Sequence, residues 1–237
     1  VYDDLPIDAL DDHLDEILSS AYSVSLFTRW REPRLELVWV KHRTDQGPWP
    51  VGKSWFGARQ ADAARHPVPG MPAEYCTEQL GVPGPWHERL PHFRLNFTPS
   101  AGEEVQSEYF VPREHAAEAI RALNGIRERI SPLLQVSEIR TIAADDLWIS
   151  PCYRRDMVGF HFTWVKNPAA VLEVLPWIEG ALDPFGTVPH WGKLFTMPPH
   201  TLRSRHPRLS DFRELARSYD PAGKFRNEFV NRYIFDG

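Results

Sequence analysis

The chain contains no apolar run approaching the roughly 20 residues that a membrane-spanning helix requires, so no such helix is predicted. It has only two cysteines, Cys76 and Cys152, too few for a disulfide framework. Two buried free thiols in a reducing, cytoplasmic setting are expected instead. A basic excess is also missing: 27 Lys and Arg against 32 Asp and Glu give a net charge of −5, the wrong sign for a nucleic-acid binder. No H-E-x-x-H spacing occurs among the histidines, so no metal site is expected. G-x-S-x-G, P-loop and G-x-G-x-x-G motifs are absent as well, and with them any local signature of a nucleophile elbow or of a phosphate cradle. The opening residues, Val1-Tyr2-Asp3-Asp4, are acidic and do not form a signal peptide; without an initiator Met, the chain is expected to begin inside a longer reading frame.

What is present is a core-forming composition, 42% hydrophobic, spread over a length that suits one large domain or a domain with an appendage. Trp and Pro concentrate between residues 47 and 91, which predicts a long ordered loop packed by its own rings. Apolar residues at helical spacing predict a helix over 6–20, and helices are also expected over 112–130, 167–182 (bent at Pro176) and 209–219. Strands are expected over 22–30 and 35–42 as one hairpin, 92–98 and 105–111 as a second, and singly over 133–142, 157–164 and 187–191. Hairpins outnumber strand–helix–strand crossovers. The fold class is therefore α+β, a largely antiparallel sheet with helices on one face and the other face left free.

Three stretches carry the chemistry. In the strand over 157–164, Val158, Phe160, Phe162 and Trp164 alternate with Gly159, His161 and Thr163, so His161 and Thr163 share the face opposite the apolar set. The same period places Glu138 and Arg140 together on another strand. Lys193 follows Pro189-His190-Trp191-Gly192 at the end of a short strand. Taken singly, Glu138 with Arg140 reads as an exposed ion pair of little energetic weight. A lone histidine reads as structural, and Asp145-Asp146 as a turn or cap. Together, polar faces set opposite apolar ones predict convergence of a carboxylate, a guanidinium, an imidazole, a hydroxyl and an ammonium on a small, hydroxyl-rich molecule.

In order along the chain, these residues resemble the C-terminal half of the alditol (xylitol) oxidases, flavoproteins of the vanillyl-alcohol oxidase type. The resemblance is carried by Tyr75-Cys76-Thr77-Glu78-Gln79, by Gly81-Val82-Pro83-Gly84-Pro85-Trp86-His87-Glu88-Arg89-Leu90-Pro91 and by Gln106-Ser107-Glu108-Tyr109-Phe110-Val111-Pro112. It continues through Glu138-Ile139-Arg140-Thr141, His161-Phe162-Thr163-Trp164, His190-Trp191-Gly192-Lys193 and Asp220-Pro221-Ala222-Gly223-Lys224-Phe225. The His190 to Lys193 motif is shared with the wider aldonolactone oxidase group, whereas the stretch over 81–91 resembles the alditol branch.

The resemblance implies a cap, or substrate-binding, domain over 1–195 and a helical tail over 196–237 that packs on an FAD domain. FAD itself would be held mainly by that other domain or subunit, covalently through a histidine with no counterpart in these residues. The implied reaction oxidises the terminal hydroxyl of a polyol to an aldose, with O2 giving H2O2. Arg140 and Lys193 would be catalytic, and Glu138, His161 and Thr163 would bind substrate. Two other readings stay open: an aldonolactone (D-arabinono-1,4-lactone type) oxidase, and a non-catalytic polyol- or sugar-binding remnant. Neither nucleic acid nor membrane is an expected partner.

Overall fold

A computed structural model of the chain describes residues 1–94 and 104–235. Its centre is one sheet with nine strands among the described residues: β1 (Tyr2–Pro6), β2 (Ser23–Thr28), β3 (Arg34–Lys41), β4 (Ser54–Trp55), β5 (Ala58–Gln60), β6 (Glu104–Pro112), β7 (Leu134–Ile142), β8 (Met157–Val165) and β9 (Val188–Pro189). The spatial order is β4-β5-β1-β3-β2-β7-β8-β6-β9, and every pairing is antiparallel. The α-helices of four or more residues are α1 (Ala9–Leu18), α2 (Ala116–Gly125), α3 (Arg127–Ile130), α4 (Pro168–Leu182), α5 (Pro199–Ser204) and α6 (Leu209–Tyr219), and a short helical segment over Glu228–Val230 continues as a π-helix over Asn231–Phe235. The expected α+β class, with an antiparallel sheet flanked by helices, is what the chain adopts. No helix among the described residues is long and apolar enough to cross a membrane.

The period of two sorts the sheet into two faces. Val24, Leu26, Val38, Tyr109, Val111, Ile139, Val158, Phe160, Phe162 and Trp164 join the main core, together with Leu10, Leu14 and Ile17 of α1, Ile120 and Leu123 of α2, and Val171, Leu175 and Ile178 of α4. The opposite face carries a smaller apolar cluster, Phe27, Leu37, Trp39, Cys76 and Val136, at one end. Beside it on the same face stand the polar side chains described below. Cys76 and Cys152 are both buried and unpaired, as the composition predicts.

Several elements differ from the sequence expectation for identifiable reasons. The helix expected over 6–20 forms as α1, starting at Ala9, and is preceded by β1, which was not legible: Asp4 has φ +63° and interrupts the alternation between Tyr2 and Leu5. The expected helix over 112–130 starts only at Ala116, since β6 runs through to Pro112, paired with Met157. It is then broken at Gly125–Ile126 into α2 and α3. The short strand expected over 187–191 keeps only Val188–Pro189, so Lys193 lies on the turn beyond it. Part of the expected second hairpin, residues 95–103, lies outside the described residues. Within them, Phe93 bridges Cys76, while β6 takes β8 and β9 as its neighbours.

The Trp- and Pro-rich segment is ordered by ring contacts, Trp49 on Trp55 at 5.7 Å and Trp55 on Tyr2 at 5.3 Å. It also contains a small hairpin that the sequence pattern did not reveal. Phe56 (φ +49°) and Gly57 (φ +87°) connect β4 and β5, both in the left-handed region that a two-residue type I′ turn requires. From there the chain folds back over the β2–β3 end of the sheet and covers the smaller apolar cluster. The β7–β8–β6 end of that face carries the polar groups.

Candidate active site

Register fixes the geometry. Glu138 on β7, His161 on β8 and Glu108 on β6 stand in one row across three adjacent strands. One step along is the row Ser25, Arg140, Gly159 and Phe110; one step the other way, Thr163 pairs with both Val136 and Gln106. Lys193 reaches the same face from the turn after β9. That turn is tied to the edge of β6 by hydrogen bonds from the His190 N–H to the Glu108 carbonyl (2.9 Å) and from the Leu194 N–H to the Gln106 carbonyl (2.9 Å). All five residues singled out in the sequence therefore converge on one surface.

The hub of the cluster is a residue that the sequence pattern alone did not single out. Glu108, 2% exposed, accepts from Arg140 Nη2 at 2.8 Å on one oxygen and from Lys193 Nζ at 2.8 Å on the other. Burial would raise its pKa, but the Arg140 charge and the hydrogen bond and charge of Lys193 outweigh burial and hold it well below the usual carboxylate range. Its signal was present: in Gln106-Ser107-Glu108-Tyr109, the period that buries Ser107 and Tyr109 turns Glu108 to the polar face.

Glu138 is a second carboxylate held ionised. It accepts from Arg140 Nη1 at 3.1 Å and from His92 Nε2 at 2.9 Å. Burial again works to raise its pKa, and the His92 hydrogen bond and the Arg140 charge overcome this and bring it to about 2. The Arg140 pKa is raised, burial opposing and the Glu138 and Glu108 charges prevailing. Lys193 Nζ also lies 2.7 Å from His161 Nδ1. An ammonium can only donate, so Nδ1 accepts and the neutral ring carries its proton on Nε2, 3.1 Å from Thr163 Oγ1. Nearby, burial lowers the His190 pKa, and its Nδ1 accepts from the Gly192 N–H at 3.0 Å.

Two further groups were missed, Lys41 and His92. Lys41 continues the Leu37 and Trp39 face of β3 and was legible as its polar end. His92, expected as the first residue of a strand over 92–98, sits instead in the long loop just before the Phe93–Cys76 bridge, and no alternation marked it as a site residue. Burial lowers Lys41 to about 8 against the opposing Glu138 charge.

The surface thus alternates donors and acceptors. Arg140 commits two of its five N–H groups to Glu108 and Glu138, and Lys193 two of its three to Glu108 and His161. Each carboxylate oxygen keeps lone-pair capacity. Arg140, with 38% of its side chain exposed, is the most open member of the cluster. Such a surface can bind vicinal hydroxyls and can stabilise negative charge developing on an oxygen.

Comparison with known proteins identifies relatives over the whole chain and over its C-terminal part. Alditol oxidase from a Streptomyces species is 54% identical over 241 residues, which covers 100% of this chain and 55% of the relative. L-gulono-1,4-lactone dehydrogenase of Mycobacterium tuberculosis is 30% identical over 134 residues, 55% of this chain and 30% of the relative. L-gulonolactone oxidase of Mus musculus is 24% identical over 133 residues, again about half of this chain. The chain spans about half the length of the alditol oxidase it matches. The family model for D-arabinono-1,4-lactone oxidase matches residues 100–233, a span that holds Glu108, Glu138, Arg140, His161, Thr163 and Lys193. On that match over more than half of its length, and with the polar cluster inside it, the chain belongs to the D-arabinono-1,4-lactone oxidase family.

Proposed function

We propose that this chain is the substrate-binding part of an FAD-dependent alditol oxidase that oxidises the terminal hydroxyl of a polyol such as xylitol or sorbitol. The observation that carries this reading is the alternation of donors and acceptors around Glu108, which suits a molecule bearing a hydroxyl on every carbon. Similarity to an alditol oxidase over the whole chain, against partial matches to lactone enzymes, supports it.

A polyol buries few apolar atoms, so recognition rests on hydroxyl geometry. A site built to hydrogen-bond a hydroxyl rejects an analogue that lacks it, because its own polar groups are then left unpaired. Glu138 accepts from the hydroxyl next to the reacting carbon and fixes the orientation of the chain. Arg140 and Lys193 place positive charge at the reacting oxygen as it loses its proton; one preorganised donor of this kind contributes roughly 3–4 kcal/mol. Glu108 holds those two cations apart and aimed. His161 has both ring nitrogens engaged, so it orients Lys193 and Thr163 and meets a hydroxyl by exchanging one of those bonds. Thr163 binds a more distant hydroxyl.

FAD, when bound, would supply the redox chemistry, as acceptor of the hydride and donor of electrons to O2, which gives H2O2. The resemblance to the alditol oxidases assigns the dinucleotide to a separate domain that this chain would cover. In this reading residues 1–195 are the cap. The tail over 196–237, with Tyr219 and Phe225 83% and 80% exposed, packs on the FAD domain. The chain alone would be colourless and would give no peroxide from xylitol. Peroxide production by the complete protein on polyols and on aldonolactones decides the substrate. A clear lactone preference would favour the second reading, which the family model and the M. tuberculosis and M. musculus relatives support by name.

A further inference from the structure

His92 and Glu138 are 46 residues apart in sequence, yet they share a 2.9 Å contact. The His92 ring is wedged edge-on between Phe27 (5.4 Å) and Trp39 (5.2 Å), which fixes its plane. Its two nitrogens then face different partners. Lys41 Nζ lies 3.0 Å from Nδ1, and Glu138 Oε1 lies 2.9 Å from Nε2. Lys41 also donates to the carbonyl of Leu90, so one ammonium holds the loop at two points, two residues apart. The ionised Glu138 only accepts, so Nε2 carries the ring proton, and the Lys41 ammonium, which only donates, keeps Nδ1 free of one. The order of donation is Lys41 to His92 to Glu138.

We propose that Lys41 and His92 form a positioning pair that locks the Glu138 carboxylate, so that the long loop sets how a polyol hydroxyl is received. This rests on the polyol reading above. His92 occupies Oε1 and Arg140 occupies Oε2, so Glu138 cannot rotate without leaving a nearly buried carboxylate oxygen unpaired, which is costly. A histidine that only filled space on Phe27 and Trp39 would have no need of a defined tautomer or of a lysine behind it. Both residues of the pair precede the span matched by the family model, while the alditol oxidase match covers the whole chain.

The test combines a spectrum with kinetics, both on the complete protein. Long-range 1H–15N correlation of the histidine rings is expected to find His92 as the Nε2–H tautomer with an unprotonated Nδ1, and Lys41→Met, which removes the donor to Nδ1, to move the Nδ1 shift towards the imidazolium value without disturbing the methyl spectrum. His92→Leu is expected to raise KM for xylitol roughly tenfold to a hundredfold with a much smaller change in kcat. His92→Gln, whose amide nitrogen stands in for Nε2, should recover most of the loss. An Nδ1–H tautomer, an Nδ1 shift indifferent to Lys41→Met, or an unchanged KM in His92→Leu overturns the proposal. If His92→Leu does not fold, the Gln variant and the spectrum still decide it. Absence of polyol oxidation by the unaltered protein counts against the substrate reading, whereas the tautomer result bears on the pair alone.

Discussion

Arg140 faces Gly159 directly across the β7–β8 ladder, and that glycine opens the route by which Arg140 reaches Glu108 on the strand beyond. A Cβ at Gly159 would stand 3.1 Å from Ile142 Cδ1 and 3.3 Å from Glu108 Oε1, the oxygen that receives Arg140 Nη2. The glycine is present for its missing side chain, since its backbone is ordinary strand.

Gly159→Ala should therefore separate stability from activity. Alanine suits a strand better than glycine by roughly 0.5–1 kcal/mol, which offsets the crowding. The crowding itself falls on the Glu108–Arg140 contact. Tm is expected to stay within a few degrees while kcat/KM for xylitol drops about tenfold. A variant with unaltered kcat/KM would show that the contact tolerates displacement.

Glu108→Gln keeps the shape of the hub and removes its charge. Arg140 and Lys193 then face each other across a neutral amide that cannot accept from both as strongly. Removing one member of a buried ion pair costs about 3–5 kcal/mol, and less where a partner is solvated, as Arg140 is. The expected stability loss is roughly 1–3 kcal/mol, with kcat/KM down tenfold to a hundredfold. Chemical denaturation and steady-state peroxide assays measure the two effects. A variant as active as the parent would reduce Glu108 to a structural carboxylate.

Much of this site was legible in the sequence because a strand reports its faces by a period of two. That period placed Glu138, Arg140, His161 and Thr163 together, and it would have placed Glu108 too. Lys193 was found through its motif, although it stands on a turn and not at a strand end. His92 was not legible, because a loop residue acquires its neighbours through tertiary folding and carries no periodic signal. β1 was hidden for a different reason, the single left-handed residue Asp4 that breaks its alternation. The type I′ turn at Phe56-Gly57 was hidden by an aromatic residue in a position usually held by Asn or Asp.

Arg140→Ala and Lys193→Ala, made separately in the complete protein, should slow the chemical step more than they weaken binding. Each removes positive charge that matters most once the reacting oxygen is losing its proton. The anaerobic rate of flavin reduction by xylitol is expected to fall a hundredfold or more in each variant, with a smaller change in the apparent Kd. Unchanged reduction rates in both would remove these residues from the catalytic assignment.

The two carboxylates also predict an acid limit to stability. Glu138, at about 2 in the folded protein, lies below its ordinary value near 4.5, and Glu108 is depressed as well. A depressed carboxylate contributes stability that is fully present above the unfolded pKa and is lost as pH falls through the folded one. For Glu138 the window runs from about pH 4.5 down to about pH 2, and the contribution is on the order of 3 kcal/mol. Histidines held neutral by burial, His66, His190 and His206, lose stability in the same direction but begin at higher pH. Comparing the parent with Glu138→Gln separates the two effects, because the histidine contribution is common to both. Urea midpoints measured from pH 7 to pH 3 should therefore run parallel above pH 5 and converge below it, as the parent loses what the variant never had. Curves that stay parallel down to pH 3 would mean that His92 and Arg140 do not hold Glu138 ionised.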